Sequence, residues 1–308
     1  RTLCDVLLKG AHLKEADLTD CFSGGEDDNL RAQNAGTMFR SLKDNGDALQ
    51  RLILRGCKNL PKEAWQQLRG VKWTNLKEVS MRKCFEGSGE GAEESPAIGA
   101  ALSAVASAAA SLEKLDLGEC TQMAREAWQQ LGGAQWPNLK EVDLYECFRN
   151  AGEGAEEAMR AVASAAGSLE KLVLNDCRKM GQEAWSHLGA VAWPNLREAG
   201  LGWCFCDSGD GAEQALSVLA SASRLEQLNL AECYRNRPEA WSKLQGAQWQ
   251  QLRVANLAYC FCSQGEGAAQ ALRALSTAGA CLEKLNLEEC SRIPAEAWSC
   301  VPDGCWPK

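Results

Sequence analysis

A nine-residue motif recurs ten times along this chain of 308 residues, and it restricts the possible folds more than any other feature. The motif reads L-x-x-[LVA]-x-[LM]-x-x-C, and its residues are numbered below as positions 1 to 9. Repetition at intervals of 27 to 36 residues predicts a stack of similar units, each of which buries its apolar residues against its neighbours. The ten copies begin at Leu13, Leu49, Leu76, Leu112, Leu139, Leu169, Leu196, Leu225, Leu252 and Leu282.

Units of two lengths alternate. The shorter units, of about 27 residues, contain Glu-Ala-Trp and a second Trp eight residues after the first. The longer units, of 29 to 36 residues, continue from Cys to Phe, then through a loop of Gly and acidic residues into an Ala-rich stretch such as residues 154–166. The spacing of the apolar residues predicts a short helix in each shorter unit and an Ala-rich helix in each longer one.

Each unit therefore joins a β-type run of about five residues to a helix. Strands that are separated by helices return on the same side and pair in parallel. Positions 1, 4 and 6 then point inward, and positions 3, 5, 7 and 8 lie on the opposite face or its rim. We expect one α/β array over residues 1–308, with about ten parallel strands and both chain ends falling within a unit.

The motif and the two alternating unit types resemble the leucine-rich repeat proteins over residues 13–306. The resemblance is greatest to the ribonuclease-inhibitor-like and cysteine-containing subtypes. It implies a horseshoe-shaped solenoid with strands on the concave face and helices on the convex face. It also implies binding of a protein partner along the concave face, because solenoids offer extended concave surfaces.

Composition argues against several functional classes. There are 33 Lys and Arg against 41 Asp and Glu, a formal charge of -8, whereas proteins that bind nucleic acid carry a basic surface. No stretch of 18 apolar residues is present, so no membrane span is predicted. With two His and no motif for a nucleophile, a base or a cofactor, we predict neither an enzyme nor a bound cofactor.

Ten of the sixteen cysteines stand at position 9, where they are interpreted as small buried apolar residues. Free thiols favour an intracellular, reducing compartment, either cytoplasmic or nuclear, although an organelle stays open. Cys206 and Cys262 lie two units apart, at about 10 Å, which is too far for a disulfide. No zinc site is predicted, because finger-like ligand spacing is missing. Whether Cys300 and Cys305 pair is left open.

Loops of Gly and acidic residues precede the Ala-rich helices. A phosphate-binding role is rejected, because no Gly-Lys-Ser/Thr follows and the acidic residues would repel phosphate. Helix capping is the preferred interpretation, and a calcium site is the alternative. The loops are residues 87–91, 152–154, 209–211 and 265–267.

Charges alternate in sign along position 3 from Glu15 to Glu198, and in the opposite phase along position 2. In a parallel sheet each charge then has opposite charges on neighbouring strands, about 4.8 Å away. Such pairs contribute roughly 0.2–1 kcal/mol each. We interpret these two columns as stabilising strand register.

Candidate binding residues come from positions 5, 7 and 8. Basic residues on the second and third strands predict an isolated basic group, and an acidic stretch follows it. Aromatic residues interrupt this polar face, and Tyr and Trp are enriched at binding hot spots. The alternative is an ordinary solvated face, or contacts to flanking loops. The predicted partner-binding residues are Tyr145, Trp203, Tyr259, Asp143, Glu146, Asp176, Arg55, Arg82 and Lys83.

The favoured function is thus a non-enzymatic scaffold that binds a protein partner of basic or mixed charge. The alternative is an accessory subunit of a large assembly, docked through a Trp-rich convex side or through its ends. Exposed Trp residues in one patch would favour this alternative, and buried Trp residues would weaken it.

Overall fold

A computed structural model describes residues 13–22, 28–58, 60–85, 95–303 and 305–306. The loop at residues 87–91 and the first twelve residues, on which the prediction of a partial first unit depends, lie outside the described residues. The chain forms two compact bodies. The N-terminal body comprises residues 1–147 and 153–165, and the C-terminal body comprises residues 148–152 and 166–308.

Ten strands in the described part of the chain form one parallel sheet, in the order of the sequence. Each strand covers positions 3 to 5, and within each body neighbouring strands pair position for position, as Glu78 does with Lys114. The strands are shorter than the predicted five residues, although backbone hydrogen bonds continue beyond them, as from Leu54 N–H to the Ser80 carbonyl. The strands are β1 Glu15–Asp17, β2 Arg51–Ile53, β3 Glu78–Ser80, β4 Lys114–Asp116, β5 Glu141–Asp143, β6 Lys171–Val173, β7 Glu198–Gly200, β8 Gln227–Asn229, β9 Val254–Asn256 and β10 Lys284–Asn286.

A helix follows each strand, which confirms the predicted α/β alternation. The Ala-rich stretch predicted over residues 154–166 is helical over Ala155–Ser164. None of the helices in the described ranges combines the length and apolarity needed to cross a bilayer. The helices are α1 Asp28–Asp44, α2 Lys62–Gln66, α3 Ser95–Ala106, α4 Arg125–Gly132, α5 Ala155–Ser164, α6 Gln182–Gly189, α7 Ala212–Ser221, α8 Pro238–Ser242 and α9 Ala268–Ser276, with 3-10 helices at Gly279–Cys281 and Ala295–Cys300.

The position 9 cysteines form a buried column beside the strands. The Cys120 thiol donates to the Met81 carbonyl of the preceding unit at 3.1 Å, and burial raises its pKa to about 12. Cysteine is therefore suited to this position, since its thiol satisfies a carbonyl inside an apolar layer. The described cysteines are free, including Cys300 and Cys305, and Cys21 is the exposed member of the position 9 column.

The tryptophan pairs lie in the core between helices and sheet. Eight of their ten members, from Trp65 to Trp249, are at most 5% exposed. Trp128 packs against Gly154, which caps α5 in a left-handed conformation with φ of 77°. A side chain on Gly154 would overlap the indole ring, so the Gly of this loop is required by packing. Gly211 and Gly267 occupy the equivalent place before α7 and α9.

Candidate functional site

The surface of interest, called the strand face, consists of the side chains at positions 3, 5, 7 and 8. Its position 3 column carries the predicted ladder of ion pairs, with Lys114 2.6 Å from Glu141. In the adjoining position 2 column Lys77 and Lys140 both contact Glu113, at 3.5 and 2.7 Å. These side chains are one third to three fifths exposed, so each pair contributes less than about 1 kcal/mol.

One turn conformation follows every strand. Asp143 accepts a hydrogen bond from the Tyr145 N–H at 2.9 Å, and Asn229 accepts one from the Ala231 N–H at 3.1 Å. Position 8 then adopts left-handed φ values in all ten units, from 57° to 72°. A left-handed conformation costs a residue with a side chain about 1–2 kcal/mol, yet Gly56 is the single glycine among the ten.

In the N-terminal body this turn holds a cluster around one arginine. The Arg82 guanidinium contacts Asp143 at 2.5 Å, Glu119 at 3.0 Å and Asp116 at 3.3 Å. It lies against Gly118, where an added Cβ would come within 2.6 Å of Cζ. The glycine therefore makes the space in which a 22% exposed arginine meets three carboxylates. The Arg82 cluster is defined as Arg55, Arg82, Lys83, Asp116, Glu119, Asp143 and Tyr145.

The other cations of the Arg82 cluster are also paired. Lys83 contacts Glu119 at 2.7 Å, and Arg55 contacts Asp116 at 2.9 Å. Arg82 also lies over the Tyr145 ring, with 5.6 Å between Cζ and the centroid. The expectation of an isolated basic group is therefore wrong, because the long side chains of these residues reach the acidic residues of the next units and form ion pairs with them. Three cations balance three carboxylates in one network.

Mutual contacts set the pKa values of this network. Burial opposes the charge on Arg82, but Asp143, Asp116 and Glu119 outweigh it and raise its pKa. Burial also raises the pKa of Asp143, despite the hydrogen bond from Tyr145 N–H and the charge of Arg82. For Glu119 burial is outweighed by Lys83 and Arg82, which lower its pKa. The cluster is thus a partly desolvated ion network.

In the C-terminal body an amide takes the place of the arginine. Asn175 Oδ1 accepts hydrogen bonds from Gly202 N–H at 2.7 Å and from Asn229 Nδ2 at 3.2 Å. Gly200 lies below this amide, because an added Cβ would be 2.7 Å from Asn175 Nδ2. Asn175, Gly200, Gly202 and Asn229 are called the amide cluster. It is uncharged, and all its contacts are hydrogen bonds.

A shallow groove of about 320 Å³ adjoins the amide cluster on the same body. Neutral side chains make up most of its lining, and its two charged residues, Lys171 and Glu198, neutralise each other at 2.7 Å. The groove is lined by Lys171, Val173, Glu198, Ala199, Gly200, Gln227, Leu228, Asn229, Val254 and Asn256.

Aromatic side chains lie in the turns that follow two of the strands lining this groove, β7 and β9. Trp203 is 41% exposed, and Arg178 lies over its ring at 5.1 Å from the centroid. Arg178 pairs with Asp176, which Arg149 also contacts, at 3.3 Å. Asp176 is therefore a buried, neutralised carboxylate. Of the three predicted aromatic residues Trp203 is the exposed one, because neighbouring turns half-bury Tyr145 and Tyr259.

The negative charges of three carboxylates act on Tyr259. Within the described residues Glu232, Glu288 and Glu289 form no ion pair. Burial raises the pKa of Glu232, although the positive charge of Arg178 opposes this shift. Desolvation raises the pKa of the Tyr259 hydroxyl, and the negative charges of these carboxylates add to the effect. This end of the strand face therefore has a surplus of negative charge.

The predicted site residues thus fall into two places. Arg55, Arg82, Lys83 and Asp143 meet with Tyr145 in the N-terminal body, and Glu146 is half-buried in a turn of that body. The remaining three lie in the C-terminal body: Asp176, Trp203 and Tyr259.

Sequence reasoning missed Arg178 and Asn175, which follow and precede Asp176. Gly200 and Gly202, two glycines within one strand and its turn, were the signal in the sequence that a neighbouring side chain such as Asn175 packs against this strand. In the described part of the chain, no three side chains converge as metal ligands.

Two of the solved structures that are similar to the chain come from Legionella pneumophila and from yeast. The leucine-rich repeat-containing protein LegL7 from Legionella pneumophila is 12% identical, with a TM-score of 0.47 over 96% of this chain and 92% of that one. A chain in the yeast Rad7 and Elc1 complex is 14% identical, with a TM-score of 0.28 over 86% and 83% of the two chains. No family model and no curated protein sequence matches the chain. The repeated motif and its parallel sheet make the fold an α/β solenoid like that of leucine-rich repeats.

Proposed function

We propose that the protein is a non-enzymatic scaffold that binds a protein partner on the strand face of its C-terminal body. The observation that carries the proposal is Trp203, which is 41% exposed in the turn after β7, a strand that lines the groove, and has a φ of 66°. A large aromatic residue in a left-handed turn is unfavourable for the isolated chain. Exposed Trp is also the residue type most enriched at binding hot spots.

The strand face of the N-terminal body is the weaker candidate. Its charges are already matched within the Arg82 cluster, and Arg82 covers one side of Tyr145. A partner would have to displace these contacts before it could use them, which reduces the gain from binding. Arg178 likewise lies over the ring of Trp203, but Trp203 is 41% exposed whereas Tyr145 is half-buried. The proposal therefore assigns binding to Trp203 ahead of Tyr145.

Docking through a Trp-rich helical side is less favoured. The Trp residues of the first four pairs are buried, so they form no exposed patch. Trp298, in the last described unit, is 43% exposed. A single exposed ring gives the assembly-subunit hypothesis less support than the groove and its aromatic border give the scaffold hypothesis.

Membership of the ribonuclease-inhibitor-like subtype and residence in a reducing, intracellular compartment belong to the same proposal. Alternating shorter and longer units support the subtype. Free cysteines support the compartment, since buried thiols such as Cys120, with its pKa raised to about 12, fit a protein that forms no disulfides.

Affinity capture tests the proposal. The wild-type chain and its Trp203→Ala, Tyr145→Ala and Val191→Ala variants are immobilised, and proteins retained from an extract of the source organism are quantified by mass spectrometry. Val191 is a suitable control because it is 37% exposed and follows α6. We expect a partner that Trp203→Ala retains at least tenfold less, a typical hot-spot loss of roughly 1.4 kcal/mol.

Folding of each variant is checked by circular dichroism and urea denaturation. A partner retained equally by all variants would contradict binding on this face. A partner lost from Tyr145→Ala alone would transfer the interface to the N-terminal body.

A further inference from the structure

We infer that the strand face of the C-terminal body binds an extended, basic polypeptide segment, with an arginine or lysine side chain held between Trp203 and Tyr259 above Glu232. The inference rests on the proposed function and specifies the partner's chemistry. It depends on three observations: the spacing of these three residues, their unbalanced charge, and a matching arrangement in the N-terminal body.

The first observation is the spacing. Trp203, Glu232 and Tyr259 occupy position 8 in three consecutive units whose strands, β7 to β9, pair in register. Hydrogen bonds of 2.8 Å tie the turns together, from Trp203 N–H to the Ala231 carbonyl and from Glu232 N–H to the Ala258 carbonyl. At about 4.8 Å per strand, Trp203 and Tyr259 are separated by roughly 10 Å at the backbone. A cation within about 6 Å of each ring centroid fits between them.

The second observation is the charge. Glu232, between the two aromatic residues, and Glu288 and Glu289, next along the face, form no ion pair within the described residues. The arginine nearest to Trp203, Arg178, is paired with Asp176. The charge of Arg178 acts on Glu232 without forming an ion pair with it, so a cationic side chain from a partner would meet carboxylates that no cation in the described part of the chain contacts directly. The same carboxylates would repel the phosphate groups of a nucleic acid.

The third observation is that the N-terminal body holds such an arginine of its own. Arg82, at position 7, sits among three carboxylates and over the ring of Tyr145. In the C-terminal body the position 7 residues beside Glu232 and Tyr259 are Ala231 and Ala258. The acidic and aromatic surroundings thus recur around Glu232 and Tyr259 without an arginine at position 7, although Arg178 lies over the neighbouring ring of Trp203. A partner can supply in this place the group that the N-terminal body supplies from its own chain.

The groove indicates the form of the partner segment. Its volume of about 320 Å³ accommodates a few residues, and Gln227 and Asn256 offer amide groups along it. Such groups can hydrogen-bond the main chain of an extended peptide, while the charged and aromatic border selects its side chain. An extended segment with one basic anchor matches both features.

Selection from a phage-displayed library of random dodecapeptides tests the inference on the wild-type chain. We expect selected sequences to share an arginine or lysine at one position. Replacing that residue by neutral citrulline or glutamine in a fluorescein-labelled synthetic copy should weaken binding about tenfold by fluorescence anisotropy. Glu232→Gln and Trp203→Ala should each weaken binding of the unmodified peptide to a similar extent. Glu183→Gln is the matched control, because Glu183 is an exposed carboxylate on α6.

The outcomes separate this inference from the proposed function. Selected peptides that lack a basic residue, yet lose binding in Trp203→Ala, would overturn the inference and leave the proposed function standing. Failure to select any peptide whose binding depends on Trp203 would also overturn the inference. In that case the proposed function would be decided by the capture of intact proteins.

Discussion

The Arg82 cluster and the amide cluster share one geometry, but the first is a network of ion pairs and the second is an uncharged network of hydrogen bonds. In each, a polar side chain from position 7 lies over a glycine of the next unit: Arg82 over Gly118, and Asn175 over Gly202. The arginine forms ion pairs with three carboxylates. The asparagine accepts a hydrogen bond from the backbone and leaves the charge of the face unchanged.

This difference shows that the repeat determines where a polar group lies, while one residue per unit decides how the face is charged. A partly buried ion network is worth little when complete, but it is costly to break from one side. An amide network carries no such charge penalty. The N-terminal body therefore matches its charges internally, whereas the C-terminal body presents carboxylates to solvent around Tyr259.

The largest expected effect comes from removing the central arginine. Arg82→Met should lower the free energy of unfolding by about 2–3 kcal/mol, because it leaves the partly buried Asp143 without its cation and leaves Asp116 and Glu119 with one cation each, Arg55 and Lys83. The equivalent change in the other body, Arg178→Met, should cost about 1 kcal/mol, because Arg149 still contacts Asp176. Urea denaturation at neutral pH measures both.

Arg69→Met controls for loss of a positive charge, since Arg69 is exposed beyond α2. If Arg178→Met proved as destabilising as Arg82→Met, the conclusion that Arg82 holds an ion network of greater consequence than the Arg178–Asp176 pair would be wrong.

The next largest effect comes from introducing into the amide cluster a carboxylate like that of Asp143 in the N-terminal body. Gly200→Asp gives β7 the residue that β5 has in Asp143, but its Cβ would meet Asn175 Nδ2 at 2.7 Å and its carboxylate would have no arginine. We expect a loss of about 2 kcal/mol in the free energy of unfolding.

Gly200→Ala isolates the steric part of this loss, since it adds the Cβ without the charge. The interpretation requires Gly200→Asp to be clearly less stable than Gly200→Ala. Equal stabilities would mean that charge is irrelevant in this cluster.

A matched pair of glycine substitutions tests the ion pairs alone. Glu119 and Glu232 have nearly equal left-handed conformations, with φ of 62° and 64°, so glycine relieves the same backbone cost in both. Glu119 pairs with Arg82 and Lys83, whereas Glu232 forms no ion pair within the described residues. Glu119→Gly should destabilise the fold by about 1 kcal/mol and Glu232→Gly should stabilise it by up to about 0.5 kcal/mol.

Thermal unfolding monitored by circular dichroism gives the two values under one condition. A difference near zero between the two variants would show that the ion pairs of Glu119 contribute nothing measurable.

The sheet and its charge ladder could be predicted from the sequence because both follow from position within the motif. Parallel pairing places equal positions side by side, so Lys114 had to face Glu141. The Arg82 cluster could not be predicted in the same way. An arginine side chain is long enough to reach Asp143 two strands away, and a column of motif positions does not encode that reach.

The turn conformation was also missed, although Gly56 at position 8 was a signal for it. A left-handed conformation is usually inferred from a glycine in the sequence, and nine of the ten position 8 residues are not glycine, so the sequence did not indicate this conformation there. Exposure of the aromatic residues depends on the neighbouring turns. Trp203 and Tyr259 occupy the same position but differ in burial for that reason.

The smallest expected effect distinguishes two carboxylates of the Arg82 cluster by pH. Burial raises the pKa of Asp143 above its ordinary 3.8, so its contribution to stability is present at acidic pH and is lost as the pH rises. Glu119 behaves oppositely: its pKa lies below the ordinary 4.5, and its contribution is lost as the pH falls. Asp143→Asn should therefore gain stability relative to wild type between about pH 3 and pH 6, by less than about 1 kcal/mol.

Glu119→Gln should lose stability relative to wild type over the same range, because it removes the contribution that grows with pH. Urea denaturation at three pH values measures both trends against the wild-type chain. The two carboxylates share Arg82, and a general effect of pH acts on wild type and variants alike and so cancels in both differences. Opposite slopes require that burial dominates at Asp143 and pairing dominates at Glu119, so parallel slopes would refute the assignment of these two roles within one cluster.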